Sequence, residues 1–191
     1  AQESRGLGDV YKRQRLDAVV NSAGTTRVIP HGDLEAIDAD EFERVYRVNL
    51  IGMFQMTRAA APLLRERSAG TASGCVINIS SLASLNGTGS SIAYAASKGA
   101  VNSLTLSLAR NLAPQVRVNA IAPGMVDDGL LRRVLGDDAY ARVIDGMREN
   151  APLKRVSQPS EVAELAWFIA ARALAMTGQV LAIENGLLLN T

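Results

Sequence analysis

Tyr94 and Lys98 are the two residues in this chain whose types and spacing point most directly to chemistry. Residues four apart on a helix share one face, with Cβ atoms about 5–6 Å apart. An ammonium group at that distance stabilises a phenolate and lowers the pKa of a tyrosine from its ordinary value near ~10. A phenol tuned in this way can give or take a proton near neutral pH. The pair therefore predicts a tyrosine acid or base assisted by a lysine.

The identity of the cation strengthens this interpretation. The chain has 17 Arg and only 3 Lys among its 191 residues, so arginine is its ordinary surface cation. A compact ammonium fits beside a phenol and a ligand hydroxyl in a way that the planar guanidinium does not. We infer that lysine at position 98 serves a local purpose. The alternative is a half-exposed pair on a helix surface without chemistry.

Ser81 lies thirteen residues before Tyr94, and Ser80 and Ser81 directly follow the apolar and β-branched run 75–79. Such a run, bounded by glycines, predicts a buried parallel strand over 75–80, which delivers Ser80 and Ser81 to its carboxyl end. Ligands of open α/β sheets bind outside those strand ends. The spacing to Tyr94 favours Ser81 as the acting hydroxyl. The alternative is that both serines only satisfy the end of the strand.

Strand and helix patterns alternate along the rest of the chain. We predict strands at 16–20, 116–121 and 179–183 beside the one at 75–80, and helices at 39–66, 92–112 and 159–175. A polar, partly helical insertion occupies about 125–158. This order implies a parallel sheet with helices on both faces, in three αβα layers. Helix 39–66 is expected to turn these residues to the core: Phe42, Val45, Tyr46, Leu50 and Phe54.

Taken together, these residues resemble the short-chain dehydrogenase/reductase family. The Ser…Tyr-x-x-x-Lys set of the family matches Ser81, Tyr94 and Lys98. Its remaining motifs match Asn21-Ser22-Ala23-Gly24, the mid-helix Asn49, the strand ending in Pro123-Gly124 and the closing segment 177–186. The resemblance runs from about residue 16 to residue 191. The sequence is equally similar to 3-oxoacyl-carrier-protein reductases and to sugar or polyol dehydrogenases.

The resemblance implies an enzyme that uses NAD or NADP to interconvert a secondary alcohol and a ketone. Tyr94 would exchange a proton with the substrate oxygen, which Ser81 would hold. Lys98 would lower the pKa of Tyr94 and hold the ribose hydroxyls. Asn49 would hold a water in a proton relay to Lys98, at a local break in its helix. Residues implied to line the cofactor, beside Tyr94 and Lys98, are Asn21, Ala23, Gly24, Pro123, Gly124 and Val126.

Some of these assignments have structural alternatives. Asn49 could cap or kink its helix, and Asn21 could tie the sheet together. The family often has threonine where this chain has Asp128, and an ionised carboxylate cannot donate the hydrogen bond that a threonine would. A non-catalytic pseudoenzyme or interaction module on the same fold is the alternative function, against which the intact Ser81, Tyr94 and Lys98 argue.

The resemblance also implies a Rossmann-like, doubly wound parallel sheet of strand order 3-2-1-4-5-6-7, in which this chain lacks the first three strands. Those strands carry the glycine-rich pyrophosphate turn and the residue that separates NAD from NADP. We therefore expect the chain to bind cofactor poorly and to turn over negligibly. Residues 1–14 are interpreted as an artefactual or disordered leader, because Asp9–Gln14 matches the translation of a sequencing adapter.

Composition limits the partners and the location of the protein. The net charge is +1, with acids and bases interspersed, so we predict no nucleic-acid surface. No apolar run approaches the roughly 20 residues that span a bilayer, and we predict no metal site. The single cysteine, Cys75 in a buried strand, favours a reducing, cytoplasmic location. The resemblance implies a homo-oligomer, tetramer or dimer, packed through helices 39–66 and 92–112. His31 is expected to face solvent.

Overall fold

Four parallel strands form the centre of the molecule in the computed structural model, which describes residues 16–66, 74–127 and 130–190. In those ranges the strand order is β1-β2-β3-β4, and the strands are β1 Ala18–Asn21, β2 Gly74–Ile79, β3 Val116–Pro123 and β4 Val180–Ile183. The predicted parallel sheet is confirmed, with strand ends shifted by one or two residues. The leader assigned to residues 1–14 lies outside the described ranges.

Helices cover both faces of this sheet. On one face, Val76 and Val118 pack against Leu64 and Leu112; on the other, Ile77 and Ile121 pack against Ile169. The three-layer αβα arrangement is therefore confirmed. In chain order the helices are α1 Ala39–Tyr46, a π-helical segment Arg47–Gly52, α2 Met53–Glu66, α3 Ala83–Asn86, α4 Ile92–Leu112, α5 Leu130–Leu135, α6 Asp137–Asn150 and α7 Pro159–Ala171.

β3 is buried along its whole length, although it contains two polar residues. Arg117 donates from Nη1 to the carbonyls of Ile169 and Ala173, both at 3.0 Å, at the end of α7. The last carbonyls of a helix have no partner within it, so this guanidinium satisfies groups that would otherwise be buried unpaired. Asn119 donates to the carbonyl of Met176 at 3.0 Å and accepts the N–H of Gln179 at 3.0 Å. Both residues fix the final crossover onto the sheet.

The helix that carries Tyr94 begins and ends where the sequence predicts. Ser91 caps its N-terminus by accepting the N–H of Tyr94 at 3.2 Å. Its last residue is Leu112, two residues before Pro114. A capping serine and a proline are local signals that act through the backbone. The first two turns of α4 are thus fixed relative to the end of β2.

The core-facing side predicted for helix 39–66 is wrong in part. Phe54 is 39% exposed, whereas Val45, Met53 and Leu64 are buried. Buried positions recur every four residues from 41 to 57, a spacing that would drift around a straight helix of 3.6 residues per turn. The π-helical segment adds a residue to one turn and brings this spacing back onto one face.

Within the described ranges, none of the helices is both long and apolar enough to cross a membrane.

Candidate active site

Ser81, Tyr94 and Lys98 meet at the carboxyl end of the sheet. Ser81 follows β2, and Tyr94 and Lys98 lie one turn apart near the start of α4. The Ser81 hydroxyl lies close enough to the Tyr94 phenol to act on its pKa. Ser81 Oγ also accepts the N–H of Ala83 at 3.2 Å, which fixes the serine rotamer against α3.

The neighbouring serine is used in a different way. Ser80 is 2% exposed, and its hydroxyl donates to Asn102 Oδ1 at 2.7 Å. It also lies 3.1 Å from the hydroxyl of Ser84. Ser80 therefore ties β2 to α4 inside the protein, whereas Ser81 is half-buried and faces the phenol. The choice of Ser81 as the acting hydroxyl stays a prediction, while the two hydroxyls have different hydrogen-bond partners.

The predicted effect of Lys98 on Tyr94 is wrong in this geometry. Burial raises the pKa of Tyr94 above its ordinary value, and the hydrogen bond from Ser81 acts in the opposite direction. Lys98 Nζ donates to the carbonyl of Ile79 at 2.8 Å and lies 5.7 Å from the centre of the tyrosine ring. The ammonium is therefore hydrogen-bonded to the strand end, and within the described part of the chain no hydrogen bond joins it to the phenol of Tyr94.

Lys98 itself is a strongly perturbed group. Its side chain is buried, and removal from water lowers its pKa to about 8. The residue that stands over it is Gly24, where a Cβ would lie 3.9 Å from Lys98 Nζ and 3.7 Å from Asn49 Oδ1. A larger side chain at position 24 would cover both polar ends. The glycine keeps this side of the ammonium open.

Asn49 lies inside the π-helical segment, so the expected break in the helix is confirmed. Its Oδ1 accepts the N–H of Thr25 at 2.8 Å, and its Nδ2 donates to the carbonyl of Thr25 at 3.0 Å. Nδ2 also donates to Ser97 Oγ at 3.0 Å. Both amide hydrogens are thus used within the protein. The asparagine joins the turn after β1 to the helical turn between Tyr94 and Lys98.

Asn21 has the contacts expected of a residue that ties the sheet together. Its Nδ2 donates to Thr57 Oγ1 at 3.1 Å and to Asn78 Oδ1 at 2.9 Å. Asn78 in turn donates to Thr105 Oγ1 at 2.9 Å. This network links β1 and β2 to α2 and α4, which favours the structural alternative for Asn21. Ala23, two residues further on, is exposed at the carboxyl edge of the sheet.

The segment that leaves β3 lies along the same edge. Pro123 is buried and its carbonyl accepts the N–H of Leu82 at 2.7 Å. Gly124 has no room for a side chain, because a Cβ there would lie 2.9 Å from Glu184 Cα. Val126 is half-buried and forms an isolated parallel bridge with Ser157. Asp128, the position where a threonine was expected, lies outside the described residues.

Several contacts of the site were not anticipated from the sequence. Thr25 and Ser97 form the hydrogen bonds that hold the Asn49 side chain. Thr25 directly follows the Asn-Ser-Ala-Gly motif and Ser97 lies between Tyr94 and Lys98, and these positions in the sequence could have indicated both contacts. Gly89 has φ +117°, and a Cβ there would lie 3.4 Å from the Tyr94 ring. His31 is partly exposed, as expected for a loop residue, and its Nε2 lies 3.2 Å from the carbonyl of Gly89.

The fold and the site together define a Rossmann-like α/β protein with a tyrosine, a lysine and a serine at the carboxyl edge of its sheet. A family profile described as "Enoyl-(Acyl carrier protein) reductase" matches residues 9–188. The chain belongs to the short-chain dehydrogenase/reductase family.

A protein metal site needs a group of at least three His, Cys, Asp or Glu side chains, and the described ranges contain no such group.

Known proteins of the same family are similar over nearly the whole chain. A crystal structure described as "a putative short-chain dehydrogenase/reductase from Burkholderia xenovorans" is 65% identical with a TM-score of 0.86, over 96% of this chain and 70% of that one. The "Granaticin polyketide synthase putative ketoacyl reductase 2" of Streptomyces violaceoruber is 40% identical over 172 residues, which are 90% of this chain and 66% of the relative.

A third similar protein was solved with a bound nucleotide. The 3-ketoacyl-(acyl-carrier-protein) reductase of Brucella melitensis, complexed with NADH, is 27% identical with a TM-score of 0.80, over 97% of this chain and 72% of that one. The present chain spans about two thirds of the length of the curated relatives that it matches.

Proposed function

We propose that the protein carrying this chain is an NAD(P)-dependent oxidoreductase that interconverts a secondary alcohol and a ketone. The observation that carries the proposal is the meeting of Ser81 and Tyr94, with Lys98 one helical turn away, at the edge where ligands of α/β sheets bind. Three relatives described as reductases, one of them solved with NADH, support the cofactor class and the reaction type.

Tyr94 would act as the proton donor in the reductive direction. Because burial raises the pKa of its phenol, Tyr94 is protonated at neutral pH and has a proton to give. Ser81 would hold the substrate oxygen beside the phenol and then stabilise the phenolate that remains. Both groups are fixed before the substrate arrives, which is the condition under which such donors stabilise developing charge most effectively.

The residues around Lys98 fit a nicotinamide cofactor, which when bound would supply or accept the hydride. Of the three N–H donors of the ammonium, one is used on the Ile79 carbonyl, and the other two have no partner among the described residues. Gly24 leaves that side open to ribose hydroxyls. We also place Ala23, Pro123, Gly124 and Val126 along the cofactor, with Asn21 supporting the turn from below. Asn49 would contribute to a proton relay through its place in the π-helical segment.

The substrate would be a small carbonyl or alcohol compound that enters beside the 125–158 insertion. An apolar cluster of Tyr140, Ile144 and Val156, with Met125 and Leu131 packed against it, forms a wall close to the segment that leaves β3. Apolar contacts of this kind suit the carbon skeleton of a substrate rather than its reacting oxygen.

We also propose a cytoplasmic homo-oligomer for the complete protein. Ile51 in the π-helical segment is exposed by 49%, Phe54 and Met56 on α2 by 39% and 58%, and Leu106 on α4 by 45%. Exposed large apolar side chains on these helices would be covered in a subunit contact. For the chain as given, we expect weak cofactor binding and negligible turnover.

The test is a titration with NADH and NADPH of this chain and of a version extended at its N-terminus by the strands that its relatives carry. We expect micromolar binding by the extended version only, and reduction of at least one compound in a panel of small ketones and ketoacyl thioesters. Ordinary micromolar binding by the chain as given would contradict the expected weak binding. Cofactor binding without turnover of any compound would favour the non-catalytic alternative.

The substitution Tyr94→Phe in the extended version sharpens this test. We expect kcat to fall by roughly 10²–10⁴, the range that one general acid contributes, because the phenyl ring cannot donate a proton. Cofactor affinity should stay within about threefold, since the ring and its packing against Gly89 are retained. Turnover that survives the substitution would exclude Tyr94 as the acid.

A further inference from the structure

Glu41 and Arg44 form an ion pair on α1 that the chemistry proposed above does not use. Arg44 donates from Nε to Glu41 Oε2 at 2.9 Å and from Nη2 to Oε1 at 2.8 Å. Glu41 is 4% exposed, and Arg44 holds the pKa of its carboxyl below the ordinary value, so the pair is charged at neutral pH. The N–H of Glu41 is in turn held by Asp38 at 2.9 Å. The guanidinium is therefore fixed against the first turn of α1.

The same guanidinium reaches the turn that holds Asn49. Arg44 Nη1 donates to Thr25 Oγ1 at 2.8 Å. Thr25 is the residue whose backbone N–H and carbonyl bind the Asn49 side chain. One residue thus contacts α1 through its hydroxyl and the π-helical segment through its backbone.

These contacts continue to the turn of α4 that carries the reactive side chains. The amide of Asn49 donates to Ser97 Oγ, which donates to the carbonyl of Tyr94 at 2.8 Å. A π-helical segment is a rare conformation that persists only where its surroundings fix it. Here Thr25 contacts Arg44 on α1 through its hydroxyl and Asn49 in the π-helical segment through its backbone, so it holds the two elements together where they join.

We propose that Glu41 and Arg44 are positioning residues that act through Thr25 to hold Asn49 and the π-helical segment beside Lys98. The planar fork of arginine suits this role, since two donors bind the carboxylate while a third reaches the hydroxyl. A single ammonium cannot make all three contacts with the same geometry. The kinetic consequence of this inference rests on the proposed function, whereas its structural consequence does not.

The structural consequence is tested by native-state hydrogen exchange on the chain as given. In Arg44→Met and Thr25→Val, we expect the Thr25 amide and the amides of 47–52 to exchange at least tenfold faster. Thr25→Ser, which keeps the hydroxyl, should exchange like the wild type. The matched control is Arg47→Met, because Arg47, the first residue of the π-helical segment, pairs with Glu43 of α1 at 3.9 Å with both side chains more than 70% exposed.

Two results would overturn the proposal. One is an unchanged Thr25 amide in both Arg44→Met and Thr25→Val. The other is a rise in exchange that includes the amides of β3 to the same extent, which would show a general loss of stability instead of local release. Thr25→Val leaves the Glu41–Arg44 pair in place, so it remains informative even where Arg44→Met fails to fold.

The kinetic consequence is tested in the extended version with a saturating cofactor. We expect kcat to fall roughly tenfold in Arg44→Met and in Arg44→Lys, less than the ~10²-fold that a 1 Å misplacement produces. The KM for cofactor should stay within twofold, and Arg47→Met should match the wild type. A lower kcat in Arg47→Met of the same size, or a change in KM alone, would contradict the positioning role. An inactive wild type would refute the proposed function while the exchange experiment still decides this inference.

Discussion

The two sides of the candidate site are held in place by different forces. On the side of β1, β2 and α4, the buried side chains of Asn21, Asn49, Asn78 and Ser80 are all hydrogen-bonded to other elements. On the side of the 125–158 insertion, a three-residue apolar cluster is supplemented by exposed ion pairs such as Arg132–Asp137. Directional bonds fix the groups that would react, and non-directional contacts form the wall that would meet the substrate.

This difference indicates which part of the molecule tolerates change. Apolar contacts survive many substitutions that keep volume, whereas a buried hydrogen-bonded amide has few equivalents. One framework could therefore keep its proton-transfer geometry while the insertion varies. Substitutions on each side of the site test this difference.

The largest effect on stability is expected from Asn78→Ala. The change removes one of the two hydrogen bonds of Asn21 Nδ2 and the bond that Thr105 Oγ1 accepts, and it opens a cavity in a fully buried position. We expect a loss of about 3 kcal/mol in the free energy of unfolding, from the lost hydrogen bonds and the cavity together. Urea denaturation followed by circular dichroism measures it.

The matched control is Asn111→Ala on α4, where the exposed amide makes one hydrogen bond to the carbonyl of Ser107 at 2.8 Å. We expect the control to change stability by less than about 0.5 kcal/mol, as surface substitutions usually do. Similar losses for the two variants would show that the buried network does not hold this side of the site.

A smaller effect of opposite sign is expected from Lys98→Met. Burial lowers the pKa of Lys98 from 10.5 to about 8, so keeping it charged in the folded state costs about 3 kcal/mol at pH 7. Loss of the hydrogen bond to Ile79 offsets about 1 kcal/mol of this. We therefore expect the variant to be about 2 kcal/mol more stable at pH 7 while turnover in the extended version is lost.

The pH dependence of the stability difference tests whether burial of the charged lysine is its cause. Below pH 8 the lysine is charged in both states, and the wild type bears the full burial penalty. Between about pH 8 and 10.5 the folded state loses the proton first, so the wild type gains stability as the pH rises and the advantage of Lys98→Met shrinks. An advantage that stays constant from pH 7 to pH 10 would contradict the assigned cause. Lys154→Met, an exposed lysine bonded to the carbonyl of Glu149, is the control.

The smallest effect is expected from Tyr140→Phe in the insertion. Tyr140 is buried, and its phenol donates to Asp127 Oδ1 at 3.2 Å, so loss of this hydrogen bond should lower stability by about 0.5–1 kcal/mol. Because Asp127 follows the segment that leaves β3, we expect the KM for substrate to rise severalfold in the extended version with kcat within twofold. A fall in kcat without a change in KM would place Tyr140 on the reacting side of the site.

The sequence was most informative where the signals are local. Helix α4 begins and ends as predicted, because Ser91 and Pro114 act on the backbone beside them. The choice of Ser81 over Ser80 rested on spacing and stays a prediction, although the two hydroxyls have different partners. Such features depend on a few neighbouring residues and on the strand they follow.

Features that depend on contacts between distant segments were not predictable in this way. Phe54 was placed in the core because periodicity assumes a regular helix, and the π-helical segment changes the rotation. The pKa of Tyr94 was predicted to fall, yet burial by other elements raises it, and the ammonium of Lys98 is hydrogen-bonded to the Ile79 carbonyl. The contact of His31 was not foreseen because its partner, Gly89, lies 58 residues away along the chain.

The π-helical segment contains one residue more than a regular helix needs in the same place, so a single codon distinguishes the two conformations. Removal of one residue between positions 47 and 52 would restore a regular helix, with Val45 and Met53 still able to meet the core on one face. The lineage could then retain a folded protein that has lost the geometry around Asn49. In evolutionary terms, a one-codon deletion is a short route from a catalyst to a non-catalytic descendant of the same fold.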